Sequence, residues 1–263
     1  MQLHARRSAL LLSLSGVAAA SSSTGGSRII FALDFPRTSD ARAFADTLGE
    51  GVGILKVGLE LFIASGAEAV TSAQATHPVF LDLKLHDIPE TVERAVFRAA
   101  DLGASIVTVH ASGGKQMLQR AAAVGADRAI AVAAVTVLTS LDESDLASIG
   151  VQGSPTDHAL RLARVAFEAG IRTFVCSPKE VRAMREALGH EATLITPGVR
   201  PQNVANRNPA QHQTDHHDQK RVATAGDAIR DGADYVVIGR PIRDAEDPRA
   251  AAQAIAHEIE AAF

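Results

Sequence analysis

The chain has 263 residues, and 26 Lys and Arg against 30 Asp and Glu leave a formal net charge of −4. That balance, with no Trp and a single Tyr, excludes a nucleic-acid binder that works through a broad basic surface and stacking aromatics. A hydrophobic content of 46% excludes disorder for the bulk of the chain, and the lone Cys176 excludes an internal disulfide or a cysteine-rich zinc site and fits a reducing compartment.

Residues 1–28 stand apart. They contain no Asp or Glu, are rich in Ser, carry Arg6, Arg7 and Arg28, and include a mostly apolar stretch over 9–20. Such a segment reads either as a targeting presequence or as a disordered extension. The folded domain is therefore predicted over 29–263. No apolar run there or in the leader reaches the ~20 residues of a membrane-spanning helix, so no membrane association is expected.

From Ile29 onward, short apolar runs rich in β-branched residues recur, each followed by a helical pattern. They begin near Ile29, Ile54, Val79, Ile106, Ile130, Thr173, Thr193 and Tyr235. Their near-continuous apolarity is what parallel strands buried on both faces require. Amphipathic segments over 39–48, 90–102, 158–169, 179–188 and 247–261 lie between or after them. Gly103, Gly170 and Gly189 follow helical patterns as C-terminal stops, and Thr38, Ser39 or Asp40 is placed to cap the first helix. Eight strands alternating with helices predict an α/β protein with a single (β/α)8 TIM barrel. A doubly wound open sheet is the alternative.

The gaps after strands five and seven are markedly longer than the rest. In a barrel, residues inserted between a strand and its helix lie at the C-terminal rim, where active sites are built. The second insertion, 201–220, is almost entirely polar and cannot pack a core, so it is predicted to be a loop that acts as a lid. Its His212, His216 and His217, with Asp215 and Asp218, invite a metal reading. A solvated loop does not hold ligands in fixed geometry, and no metal is expected.

Charged residues interrupt the strands where apolar ones belong: Asp34 in FALDF, Lys56 in ILKVG, Asp82 and Lys84 in FLDLKLHD, and His110 in VTVHA. Burying charge is costly unless it is paired, so charge from four strands implies one polar cluster. Asp82 and Lys84 lie two positions apart and are predicted to share the inward face of strand three. Strand eight ends in a Gly-Arg pair, Gly239 and Arg240, and strand seven in TPGVRPQ. A glycine backbone and an arginine fork suit an oxyanion, and the loops after strands seven and eight are the usual phosphate site of these barrels. A phosphorylated substrate follows. His86 and His110 are each readable as a base or as a hydrogen-bonded structural histidine. Cys176 reads as a small buried hydrophobe.

FALDF, KVGLELF, FLDLKLHDIPETV, VHASGG, VTVLTS, TPGVRPQ and VIGRP, in this order, are similar to the orotidine 5′-phosphate decarboxylases of the bacterial type. The likeness spans essentially the whole of 29–263. D-x-K-x-x-D, here Asp82, Lys84 and Asp87, is shared with other sugar-phosphate enzymes, whereas the HDIPET continuation, TPGVRPQ and IGRP are more specific. The resemblance implies conversion of orotidine 5′-monophosphate to UMP and carbon dioxide in the last step of pyrimidine synthesis, without metal or organic cofactor. It implies that Lys84 protonates C6, that Asp82 sits beside the departing carboxylate, and that Lys56 bridges the ribose and Asp82. Asp34 would hydrogen-bond a ribose hydroxyl, and Thr139 would face the pyrimidine. Pro197, Arg200, Gln219, Gly239 and Arg240 would hold the phosphate end. Asp87, Ile88 and Thr91 would reach the neighbouring subunit's site, which makes a homodimer the active form. The implied location is the cytoplasm, with organellar import left open by the leader.

Loss of carbon dioxide from C6 leaves electrons in an in-plane orbital that the ring π system cannot delocalise. An ammonium poised at C6 stabilises that carbanion and then quenches it. Enzymes lower barriers by ~8–23 kcal/mol, whereas one ion contact at ~4 Å is worth about 4 kcal/mol at an effective dielectric near 20. The rest must come from preorganised charge and from remote phosphate binding. Lys56, Asp82, Lys84 and Asp87 together form a neutral array that the substrate carboxylate makes locally anionic. The competing readings are a Mg-dependent sugar-phosphate decarboxylase or hexulose-phosphate synthase sharing D-x-K-x-x-D, and a silent phosphate-ligand binding protein.

Overall fold

The computed structural model describes residues 25–200 and 223–263. Most of the leader, the 201–220 segment predicted to be a lid, with its histidines, and Gln219 lie outside the described residues. Gly25–Arg28, the end of the segment read as a leader, forms a 3-10 turn in which Gly25 and Gly26 are buried. The Gly25 amide donates to Glu260 Oε1 at 2.8 Å, so this turn is pinned to the C-terminal helix.

In chain order the elements are β1 (Ile29–Ala32), α1 (Thr38–Leu48), β2 (Ile54–Val57), α2 (Leu59–Ser65), α3 (Ala67–Gln74), β3 (Val79–Leu85), α4 (Pro89–Asp101) and β4 (Ile106–His110). Next come α5 (Lys115–Arg128), β5 (Ala131–Val135), α6 (Glu143–Ser148), α7 (Pro155–Glu168), β6 (Thr173–Val175), α8 (Val181–Leu188) and β7 (Thr193–Pro197). The chain ends with α9 (Ala225–Arg230), β8 (Tyr235–Ile238), α10 (Arg240–Arg243) and α11 (Pro248–Glu260). The eight strands form one closed barrel in sequence order, each parallel to the next, with β8 returning to pair with β1. The predicted (β/α)8 barrel is the observed one, and the open-sheet alternative is set aside.

Strand alternation sorts the side chains into two layers. Ile30, Ile54, Phe80, Ile106, Ala131, Ala133 and Ile195 pack together inside the barrel. Their sequence neighbours, such as Phe31, Leu55, Leu81 and Val107, face outward into a larger core shared with the helices. That outer core is completed by the stripe each helix presents, as with Val92, Val96 and Ala99 of α4. Fully burying a Val contributes roughly 1.5–3 kcal/mol, so the helices are held chiefly by these stripes.

Helix ends follow local chemistry. Gly103, Gly170 and Gly189 have φ of 83°, 103° and 68°, the left-handed region in which a side chain is strained. The N-terminal cap predicted for the first helix is corrected: Arg37 holds the cap position without a side-chain cap hydrogen bond, so none of Thr38, Ser39 and Asp40 serves. Asp40 instead pairs with Arg37, Nε to Oδ2 at 2.8 Å. Helix α7 begins earlier than its apolar pattern because Ser154 Oγ accepts the Asp157 amide at 3.1 Å and Pro155 occupies the first turn. The insertion after β5 contains α6, closed by a reciprocal Asp142–Asp145 capping box. At the second insertion Val199 bridges to Ala223 and the Arg200 amide donates to Ala223 O at 2.9 Å. The chain thus leaves and rejoins the described structure at one point. Among the described residues no helix is long and apolar enough to cross a membrane.

Candidate active site

The inward positions of the strands become polar one step above the apolar layer. Two residues beyond Ile54, Phe80 and Ile106 stand Lys56, Asp82 and Thr108, and two beyond Ala32 stands Asp34. The period of two that buries the first layer therefore aims these groups into the C-terminal mouth of the barrel. There they meet a cavity of about 550 Å³ lined by Asp34, Lys56, Asp82 and Lys84, together with Pro197 at the end of β7 and Thr139, Arg200, Gly239 and Arg240 from beyond the ends of β5, β7 and β8.

The charges form a chain. Lys56 Nζ is 3.5 Å from Asp34 Oδ1 and 3.6 Å from Asp82 Oδ2, and its side chain is only 11% exposed. Lys84 Nζ donates to both Asp82 carboxylate oxygens at 2.9 Å. Burial pushes the Asp82 carboxyl up, but Lys56, Lys84 and the hydrogen bonds from Lys84 and Thr108 together outweigh it and hold the group below its ordinary value. Asp82 is thus an anion clamped between two cations. Gly58 makes room for this arrangement, since a Cβ there would stand 2.9 Å from Lys56 Nζ.

Asp82 and Lys84 do share a face, but not by simple alternation. Leu81 pairs with Val107 and Leu85 with Val109, so four steps along β3 match two along β4, a bulge centred on the intervening residues. Lys84 has φ of +50°, a left-handed conformation costing a non-glycine residue about 1–2 kcal/mol. Opposite the bulge, fully buried Thr108 accepts the Lys84 amide at 2.7 Å and donates to Asp82 Oδ1 at 3.0 Å. Sequence reasoning missed Thr108 because a threonine in a strand is ordinary.

His110 follows Thr108 at the end of β4, its ring 5.3 Å from that of His86. Burial, then His86 and Lys84, push the His110 imidazole below its ordinary pKa against the opposing pull of Asp82. Cys176 is buried, as expected of a small hydrophobe, and also lines the cavity. Asp244, missed from sequence, lines it as well. Its Oδ1 accepts from Arg243 Nε at 2.7 Å, and Arg243 Nη1 donates to Asp34 O at 3.2 Å.

Asp87, Ile88 and Thr91 are exposed and not among the residues lining the cavity. The Asp87 carboxylate accepts the Ile88 amide at 2.6 Å. Within one chain the alternating array is therefore Asp34, Lys56, Asp82 and Lys84, with Asp34 beside Lys56 at the end of the array away from Lys84. Among the described residues no group of three or more His, Cys, Asp and Glu is arranged to hold a metal ion.

Residues 27–255 match the family described as Orotidine 5′-phosphate decarboxylase / HUMPS family. A curated orotidine 5′-phosphate decarboxylase of Anaeromyxobacter dehalogenans is 53% identical over 230 residues, covering 87% of this chain and 96% of the relative. That of Haemophilus influenzae is 46% identical over 227 residues, covering 84% and 94%. The crystal structure of orotidine 5′-phosphate decarboxylase from Lactobacillus acidophilus superposes with a TM-score of 0.75 at 32% identity, covering 88% of this chain and 98% of that one. By its barrel, its charge chain and these likenesses, the chain belongs to the orotidine 5′-phosphate decarboxylase / HUMPS family.

Proposed function

We propose that this protein decarboxylates orotidine 5′-monophosphate to UMP and carbon dioxide, the last step of de novo pyrimidine nucleotide synthesis. The observation that carries the reading is the Asp34–Lys56–Asp82–Lys84 chain lining the cavity of a protein 53% identical to a decarboxylase of that name. In the reaction the C6–carboxylate bond breaks with its electron pair left on C6. Lys84 Nζ then gives a proton to C6, forming the C6–H bond of UMP, and regains one from solvent. Asp82 beside the departing carboxylate makes the bound ground state locally anionic and holds the ammonium in place for the carbanion. No step requires a metal or an organic cofactor.

Lys56 and Asp34 hold the ribose hydroxyls in this reading, and Thr139 faces the pyrimidine. Pro197, Arg200, Gly239 and Arg240, with Gln219, hold the phosphate, whose binding energy fixes the base over Lys84. Residues 29–263, with the Gly25–Arg28 turn packed on the C-terminal helix, constitute the decarboxylase domain, acting in the cytoplasm in this reading. A homodimer is the working unit, with Asp87, Ile88 and Thr91 completing the partner's site. What supports the dimer is an apolar display beside the mouth: Ile63 is 79%, Ile88 65% and Leu59 49% exposed, on the segments that follow neighbouring strands β2 and β3.

The Mg-dependent rival requires Asp82 and a second acid to share a cation, yet both Asp82 oxygens face Lys84 and one also takes the Thr108 hydroxyl. The deciding experiment incubates the purified protein with orotidine 5′-monophosphate in the presence of EDTA. Loss of the orotidine absorbance is the expected result. No loss under EDTA, with metal-dependent turnover of a sugar phosphate, would sink the reading.

A further inference from the structure

We propose that Thr108 is a positioning residue for this decarboxylation: its hydroxyl ties the Lys84 backbone to the Asp82 carboxylate across the β3 bulge and so keeps the Lys84 ammonium seated on Asp82. The inference rests on the function proposed above, and it starts from what the bulge removes. Where four steps of β3 match two of β4, the regular ladder has no place for the Lys84 amide, and a buried amide without an acceptor is costly. Thr108 Oγ1 takes that amide at 2.7 Å. The same hydroxyl has one proton to give and gives it to Asp82 Oδ1 at 3.0 Å. One atom thereby fixes the main chain of the proton donor and the side chain of its counter-ion together.

Three features suit Thr108 to that task. It is fully buried, so no water competes for the hydroxyl. It is β-branched, which restricts the hydroxyl to few orientations. It is also absent from the residues lining the cavity, which makes it a support beneath the site and not a substrate contact. The left-handed Lys84 backbone, φ +50°, is the strained element it retains. Without the tie, Lys84 is expected to relax toward extended backbone, which carries Nζ away from both Asp82 oxygens.

The test compares Thr108→Val, which keeps shape and removes the hydroxyl, with Thr108→Ser, which keeps the hydroxyl. Thr108→Ala serves as a second hydroxyl-free variant should the valine form not fold. For a folded hydroxyl-free variant we expect kcat to fall at least about tenfold, the loss of one hydrogen bond to a charged group, with KM changed less than about threefold. The serine variant is expected to stay within about threefold of the parent. The Asp82 carboxyl carbon, followed by NMR against pH, should titrate at higher pH in the hydroxyl-free variant and not in the serine variant. A folded hydroxyl-free variant with unchanged kcat and an unmoved Asp82 titration overturns the proposal, as does a serine variant as impaired as the valine one. The parent is assayed alongside: if it fails to act on orotidine 5′-monophosphate the proposed activity fails, whereas the Asp82 titration judges Thr108 by itself.

Discussion

Lys84 combines a strained main chain with a doubly bonded side chain, and the two can be separated by substitution. Its left-handed φ of +50° favours glycine over any side chain, while its ammonium meets both Asp82 oxygens at 2.9 Å. Lys84→Ala and Lys84→Gly both remove the proton donor, so each should lose at least a thousandfold in decarboxylation, within the ~10²–10⁴ range of general acid catalysis compounded by the lost charge. UMP binding should survive in both, because the phosphate contacts proposed above lie on other residues. Their stabilities should differ: the glycine variant is expected to be more stable than the alanine variant by about 1 kcal/mol, the relief of left-handed strain. Denaturant unfolding of the pair measures that difference. Equal stabilities would show that the bulge, and not the residue, absorbs the strain, and substantial residual turnover would remove Lys84 from its role.

At the scale of elements, the site depends on how strands hand over to helices. Gly58 lies between β2 and α2 with φ of −91°, a conformation any residue adopts. The obstacle to a larger residue there is space, since a new Cβ would stand 2.9 Å from Lys56 Nζ. The far end of a lysine moves readily, so Gly58→Ala should cost little stability while displacing Nζ from Asp34 and Asp82. We expect a melting temperature within a few degrees of the parent and a decarboxylation rate lower by about tenfold, read by thermal unfolding and steady-state kinetics on the same preparation. A variant with full activity would mean that Lys56 has slack. The strands were legible from sequence because parallel strands buried on both faces are written as continuous apolar runs, and their interruption by Asp34, Lys56, Asp82 and Lys84 located the site. The β3 bulge was not legible. The period of two already predicts residues 82 and 84 on one face, so nothing in the pattern marks the bulge, and only the pairing with β4 reveals the extra residues. Thr108 was hidden for the same reason, its hydroxyl acquiring a purpose only once the bulge leaves an amide to satisfy. The cap of α1 was misread because three good capping residues follow Arg37, yet the chain turns into the helix one position earlier than they require.

At the scale of the molecule, one barrel brings together four charged residues yet leaves Asp87 at the surface, and this separates a self-sufficient monomer from a shared site. Asp87 and Ile88 follow β3, the strand that carries Asp82 and Lys84, after the single residue His86, and Ile88 is 65% exposed. A two-fold dimer formed through this face would be isologous, each protomer lending the same segment to the other. If Asp87 acts only across such an interface, Lys84→Ala and Asp87→Ala homodimers should both be nearly inactive, each having two damaged sites. Mixing them with exchange gives heterodimers in which one site carries both lesions and the other carries neither. Random reassortment at equal amounts makes half the dimers mixed, so activity should recover to about a quarter of the parent's, as two-fold sharing requires. Native mass spectrometry of tagged subunits would verify exchange, and the orotidine absorbance assay would report the recovery. Exchange without recovered activity would confine Asp87 to its own chain, and the exposed Ile63, Ile88 and Leu59 would then need a partner other than a second copy of the site.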